Sequence, residues 1–150
     1  MAASERIVVN GNAIPTDLAA AIEAGWIEHV DRDAAAARLG VSCRHLSFYR
    51  MSYITGLLAG DWLRLPDAYR GSPGGDVLPG NIDPATSLCF GEVESDSPLA
   101  IDFRTNPPSV VAFPWPRWVR VSNDVSEFLE KLDPGGVLRD DADKPSGQDC

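Results

Sequence analysis

The spacing of apolar positions changes character near the middle of the chain. At the start, Ile7 to Val9 is a short β-branched run that meets Asn10-Gly11, a two-residue turn signal. After Pro15-Thr16 the spacing becomes helical. Leu18, Ala21, Ile22, Gly25 and Trp26 fall at i, i+3, i+4, i+7 and i+8 and make one apolar stripe. Thr16 is placed to cap this helix, and Asp17 lies near its positive end. A second helix is expected after an Asp33 cap, through Ala34 to Leu39, with Gly40 as its stop. Leu46 to Trp62 crowds many large apolar groups together, and positions 54, 57, 58 and 62 suit a helix face. Residues 66–84 carry four prolines and four glycines, which predicts an irregular connection across the surface.

From Thr86 the period shortens to two. Ser87 to Val93 reads as a strand, and Glu94 to Ser97 as a polar turn. Leu99, Ile101 and Phe103 alternate with Ala100 and Asp102, which predicts a half-buried strand with Asp102 on its polar face. Val110 to Phe113 and Trp118 to Val121 follow as third and fourth strands. The short connections between them predict an antiparallel meander. Asp124 with Glu127 three residues later forms a capping pair, and Val125, Phe128, Leu129 and Leu132 line one helix face. Pro134-Gly135-Gly136 ends that helix. The pattern predicts an α+β fold: an antiparallel or mixed sheet carrying N-terminal helices and a C-terminal helix. A single domain over residues 1–138 is expected, with residues 139–150 a disordered tail because they are polar and without period.

Composition narrows the classes. The chain has 150 residues, 44% hydrophobic and 23% charged, which is globular and not disordered. Without an apolar run of about 18 residues there is no expected membrane span, and MAASERIVV does not read as a signal peptide. Three cysteines, Cys43, Cys89 and Cys150, with no CxxC fit a reducing cytoplasm and argue against a disulfide framework or structural zinc. The net charge is −9. Nucleic acid and anionic membrane are therefore poor partners, and a basic protein is a compatible one. The charge is uneven. Residues 1–75 hold seven basic and eight acidic side chains, whereas residues 76–150 hold six and fourteen. Asp76 to Phe103 contains six acids and neither Lys nor Arg.

Chemistry-bearing clusters are sparse. Glu28, His29, Asp31 and Asp33 are too divergent along a helix to converge on a metal, so no metal and no cofactor is expected. Ser42, Cys43 and His45 lack any nucleophile motif. Gly71-Ser72-Pro73-Gly74-Gly75 matches no phosphate loop, and Pro73 removes an amide. Asp102 would need a partner to act as a catalytic carboxylate and is better read as paired with a nearby Arg or turn amide. Trp118 is expected in the core, and Trp115 either in the core or as an exposed interface anchor. Around the turn, Glu92, Glu94 and Asp96 read as partner-facing acids.

The run Leu88–Leu132, "LCFGEVESDSPLAIDFRTNPPSVVAFPWPRWVRVSNDVSEFLEKL", resembles the C-terminal signature of the SUKH superfamily, the SMI/KNR-type domains. Gly91, Asp102, Val110, Val111, Trp118, Phe128 and Leu129 occupy its structural positions. "LPGNIDPATSL" (Leu78–Leu88) resembles the lead-in of some bacterial members, and the helix after Ile14-Pro15 fits the usual opening. Residues 40–75 depart from the family pattern. The resemblance implies an α+β fold and a non-enzymatic binding role, commonly that of a bacterial immunity protein neutralising a secreted toxin, often a nuclease. The acidity agrees with a basic toxin as partner. A small enzyme using Asp102, or a regulatory scaffold without a toxin, are the alternatives.

Overall fold

The computed structural model describes residues 7–72 and 78–139. The chain opens with a small hairpin, β1 (Val8–Val9) and β2 (Asn12–Ala13), turned at Asn10-Gly11 as the sequence predicts. Helix α1 spans Thr16–Ala24. Thr16 does not cap it; Pro15 holds the cap position, and the Asp17 carboxylate accepts the Leu18 amide at 3.0 Å. Gly25 ends the helix at φ +72°, where a residue without Cβ avoids the left-handed clash. The stripe then passes into a 3-10 turn, Trp26–His29, that buries Trp26 and Ile27.

Helix α2 is Arg32–Leu39. Its cap is Asp31, which accepts the Ala34 amide at 3.1 Å, and not Asp33, which lies inside the first turn. Gly40 closes it as expected. The crowded segment divides into β3 (Ser47–Phe48), α3 (Met51–Thr55) and α4 (Leu57–Leu63). The break at Gly56 resets the angular phase of the helix. Ile54, Leu58 and Trp62 are therefore buried, while Leu57 is 76% exposed and leaves the expected face. The proline-rich connection carries 3-10 turns at Asp67–Tyr69 and Pro84–Thr86 and a two-residue strand, β4 (Pro79–Gly80). Part of its glycine-rich stretch, residues 73–77, lies outside the described residues.

The meander is present: β5 (Ser87–Glu94), β6 (Ser97–Asp102), β7 (Ser109–Ala112) and β8 (Trp118–Ser122). The six strands run in the order β3-β5-β6-β7-β8-β4, every pair antiparallel. The half-buried reading of β6 is corrected. Ala100 is as buried as Leu99 and Ile101, and Asp102 is 1% exposed. Both faces of the central strands are covered, so alternation marks two interiors and not an inside and an outside. A hidden carboxylate needs a cation, and Arg104 supplies it: Nε and Nη2 each lie 3.0 Å from the Asp102 oxygens. The same guanidinium reaches the Asn81 carbonyl at 2.8 Å, tying the lead-in to β5 to the β6–β7 turn.

Helix α5 (Val125–Leu132) has the reciprocal cap that its sequence announces. Asp124 accepts the Glu127 amide at 2.7 Å, and Glu127 accepts the Asn123 amide at 2.9 Å. Phe128 is fully buried, 5.7 Å from the ring of Phe90 and 6.3 Å from that of Phe48. Trp118 and Leu129 are buried too. Trp118 stacks on Phe113 at 5.1 Å and meets Trp62 edge-on at 6.1 Å. Gly91 is a matter of space: a Cβ there would lie within 3.0 Å of the Ser47 carbonyl oxygen on β3.

The tail does not start where polarity suggests. Arg139 is docked: its Nε lies 3.2 Å from the buried Asp133, and its guanidinium sits 6.0 Å from the Trp26 ring centre. Burial pushes the Asp133 carboxyl up, but the Leu138 and Arg139 amides and the Arg139 guanidinium outweigh that and hold it below its usual value. Residues 140–150 of the expected tail lie outside the described residues.

Candidate functional site

The β5–β6 turn projects from the sheet where β3 crosses β5. Ser47 pairs with Glu92 and Phe48 with Gly91, and the His45 amide bonds to the Val93 carbonyl at 3.0 Å. That register brings residues 42–45 alongside Glu94. The Glu94 carboxylate accepts the Arg44 Nε at 3.1 Å, its Nη2 at 3.2 Å and its amide at 2.9 Å. The Ser42 hydroxyl donates to it as well, and His45 Nδ1 lies 3.4 Å away. The Arg44 hydrogen bond, followed by that from Ser42, holds the Glu94 carboxyl down at about 2. Sequence reading left this acid without a nearby cation; Arg44, fifty positions away, neutralises it. Its role as a free partner-facing charge is therefore spent on the segment that leads into β3.

Glu92 and Asp96 are different. Among the described residues, the Glu92 carboxylate accepts the Tyr49 hydroxyl alone, at 3.1 Å. Burial, followed by neighbouring charge, pushes the Tyr49 phenol up. Asp96 sits in the turn at φ +60°, is exposed, and has no hydrogen bond or ion pair among the described residues. No lysine or arginine pairs with either acid among the described residues.

Trp115 is the outlier of the surface. It is 62% exposed and holds φ +56°, a left-handed conformation that is strained for a bulky side chain. Its ring stands edge-on to the buried Phe113 at 5.7 Å. Phe113 is fixed from behind, because Ser97 donates to its carbonyl and Tyr69 packs 5.9 Å from its ring. Tyr69 is in turn held by the Trp118 indole, which donates to its carbonyl at 2.7 Å.

These residues enclose a cleft of about 480 Å³ whose walls include Arg44, Tyr69, Glu94, Asp96, Phe113 and Trp115. Beside it lies a hollow of about 250 Å³ lined by Tyr49, Leu65, Tyr69, Glu92 and Asp96. The two share Tyr69, Asp96 and Ser97. Three of the expected partner-facing residues, Glu94, Asp96 and Trp115, thus meet in one cleft, and Glu92 lines its neighbour. Arg44, Tyr49 and Tyr69 complete the site without a signal in the sequence, since each arrives from a remote segment, and Phe113 joins them from the end of the expected third strand, two residues before Trp115.

The other chemistry-bearing clusters do not assemble. Asp102 is occupied by Arg104 and lines neither of these hollows. Burial, and then the Glu94 charge, pushes the Cys43 thiol up to about 11, the reverse of nucleophile activation. Buried Cys89 is pushed up to about 12. His29 is exposed at the end of its turn, and Asp31 is used as a cap. Among the described residues no group of three or more His, Cys, Asp or Glu is placed to hold a metal ion. No helix among them is long and apolar enough to cross a membrane. No protein-family model matches the chain, nor does a curated protein or a solved structure.

Proposed function

We propose that this chain is a non-enzymatic protein-binding module of the immunity type, which docks on a basic toxin domain in the cytoplasm and neutralises it. The observation that carries this reading is Trp115. A tryptophan kept 62% exposed at a strained φ, at the rim of a cleft and beside an unpaired carboxylate, gains little from folding beyond its one edge contact with Phe113. Exposed aromatics of this kind are enriched as interface anchors. The acids beside it favour a cationic partner and disfavour nucleic acid. The resemblance of Leu88–Leu132 to SUKH domains supports the toxin-neutralising role.

The test is growth rescue. The toxic domain of a secreted effector encoded beside this chain should arrest growth when expressed alone, and co-expression of the chain should restore it. Rescue should be lost with Trp115→Gly, a change that removes the anchor and relieves the φ. Its melting temperature should stay near that of the wild type, because the lost contact with Phe113 and the relieved strain are each about 1 kcal/mol. Failure of the wild type to rescue or bind any such neighbour, with both proteins present, refutes the reading.

A further inference from the structure

Resting on the binding role proposed above, we infer that the cleft and its neighbouring hollow form one two-part groove. It takes a short partner segment that carries an aromatic or aliphatic anchor and, close by along the chain, a Lys or Arg. The anchor belongs in the cleft of about 480 Å³, where Trp115, propped edge-on against the buried Phe113, offers aromatic surface. That volume lies in the usual range for sites that bury most of a small ligand. The cation belongs in the hollow. Glu92 and Asp96 both line it, and neither is paired with a basic side chain among the described residues. Rings of Tyr49 and Tyr69 stand beside them, and Leu65 and Pro66 supply apolar wall for the methylene stem of a long basic side chain.

The two parts are continuous because Tyr69, Asp96 and Ser97 belong to both. A single short segment therefore spans them. Glu94 takes no direct part. Its work is to hold Arg44 out of the hollow, by a forked ion pair that leaves Arg44 unable to satisfy Glu92 or Asp96. An arginine of the chain's own, lining the cleft with Asp96 yet committed to Glu94, leaves the hollow anionic. Charge complementarity thus selects a basic occupant over an acidic one.

The test uses phage-displayed random twelve-residue peptides panned on the full chain, with enriched peptides synthesised and their affinities measured. Enriched sequences should pair an aromatic or aliphatic residue with a nearby Lys or Arg. Trp115→Gly should weaken them tenfold or more. The double variant Glu92→Gln, Asp96→Asn should do the same and flatten the salt dependence. Asn tolerates the left-handed turn position, so this variant keeps the fold, and an unchanged melting temperature checks it. Replacing the peptide cation with Met should abolish the difference between wild type and double variant. The inference is overturned if no peptide is enriched, if enriched peptides lack a cation, or if they bind both variants as well as the wild type. Groove variants that still rescue growth would also overturn it while leaving the immunity role intact. Peptides that bind as expected, from a chain that neutralises no toxin, would sink that role and leave the groove standing.

Discussion

Replacing Gly91 with alanine tests the coupling between the fold and the groove. The new methyl would lie within 3.0 Å of the Ser47 carbonyl oxygen and 3.3 Å from the Phe48 Cα. Both are backbone, so no side chain can swing aside, and β3 has to move outward. Two backbone hydrogen bonds hold it there, His45 to Val93 at 3.0 Å and Tyr49 to Phe90 at 2.9 Å. Losing both costs about 0.5–1.5 kcal/mol each, and overpacking adds about 1–3 kcal/mol. Reduced freedom of the unfolded chain returns about 0.4–1 kcal/mol. The net destabilisation is therefore about 1–5.5 kcal/mol, or roughly 2–20 °C in melting temperature for a chain of this size. Because β3 lies between Arg44 and Tyr49 in the chain, peptide binding at the groove should fall with it. Thermal unfolding followed by circular dichroism measures the first effect, and amide exchange at His45 and Tyr49 localises it. Gly60→Ala is the control. It lies inside α4 with nothing within 4 Å of its Cβ, and it should gain about 0.5–1 kcal/mol. Should Gly91→Ala melt at or above the wild type, the close approach of β3 to β5 is refuted.

Phe128→Ala should cost about 3–5 kcal/mol, because the ring is fully buried between Phe90 and Phe48; an unchanged denaturation midpoint would remove α5 from its place over the sheet. Arg139→Met should cost about 1–3 kcal/mol at neutral pH by stranding the buried Asp133 carboxylate. The loss should shrink as pH falls below the unfolded value of 3.8 and the carboxylate is protonated, and a stability curve parallel to the wild type from pH 7 to pH 2 would show that Arg139 is not its counter-charge. Glu94 has its folded pKa depressed from 4.5 to about 2. Its contribution is therefore complete above the unfolded value and fades as pH falls from 4.5 towards 2. Glu94→Gln should separate from the wild type above that window and converge with it below. An equal gap at pH 2 and pH 7 would show that the charge of Glu94 is irrelevant.

What the sequence disclosed and what it withheld divide along the range of the interactions. The strands of the meander and α5 are legible to within two residues, because alternation, an Asp-Glu cap and a Pro-Gly-Gly stop are all local. The caps of α1 and α2 were misplaced by a position or two, since Pro15, Asp31 and Asp33 are all plausible neighbours and only backbone geometry chooses among them. Asp102 looked solvent-facing because period two cannot distinguish water from a second buried layer. Leu57 fitted its stripe until Gly56 broke the phase. In the groove the acids were legible as belonging around a polar turn, whereas Trp115 was left open between core and surface. The pairing of Glu94 with Arg44 was not, because it depends on the β3–β5 register. Tyr69 gave no signal at all, since it sits in an irregular connection whose path is fixed by Trp118 and Phe113.

The outer strands of the sheet, β3 and β4, are two residues each and both come from the segment between α2 and β5. An edge this short offers an incoming chain almost no ladder to extend. Beyond β4, the Lys131 ammonium occupies the Val121 carbonyl at 2.9 Å. Strand addition, the commonest way for an extended peptide to join a sheet, is thus discouraged at both margins. The same feature protects the four long strands from edge-to-edge association with other copies. Recognition is left to side chains, so specificity should be set by which residues an opposing segment carries and not by its ability to adopt β structure.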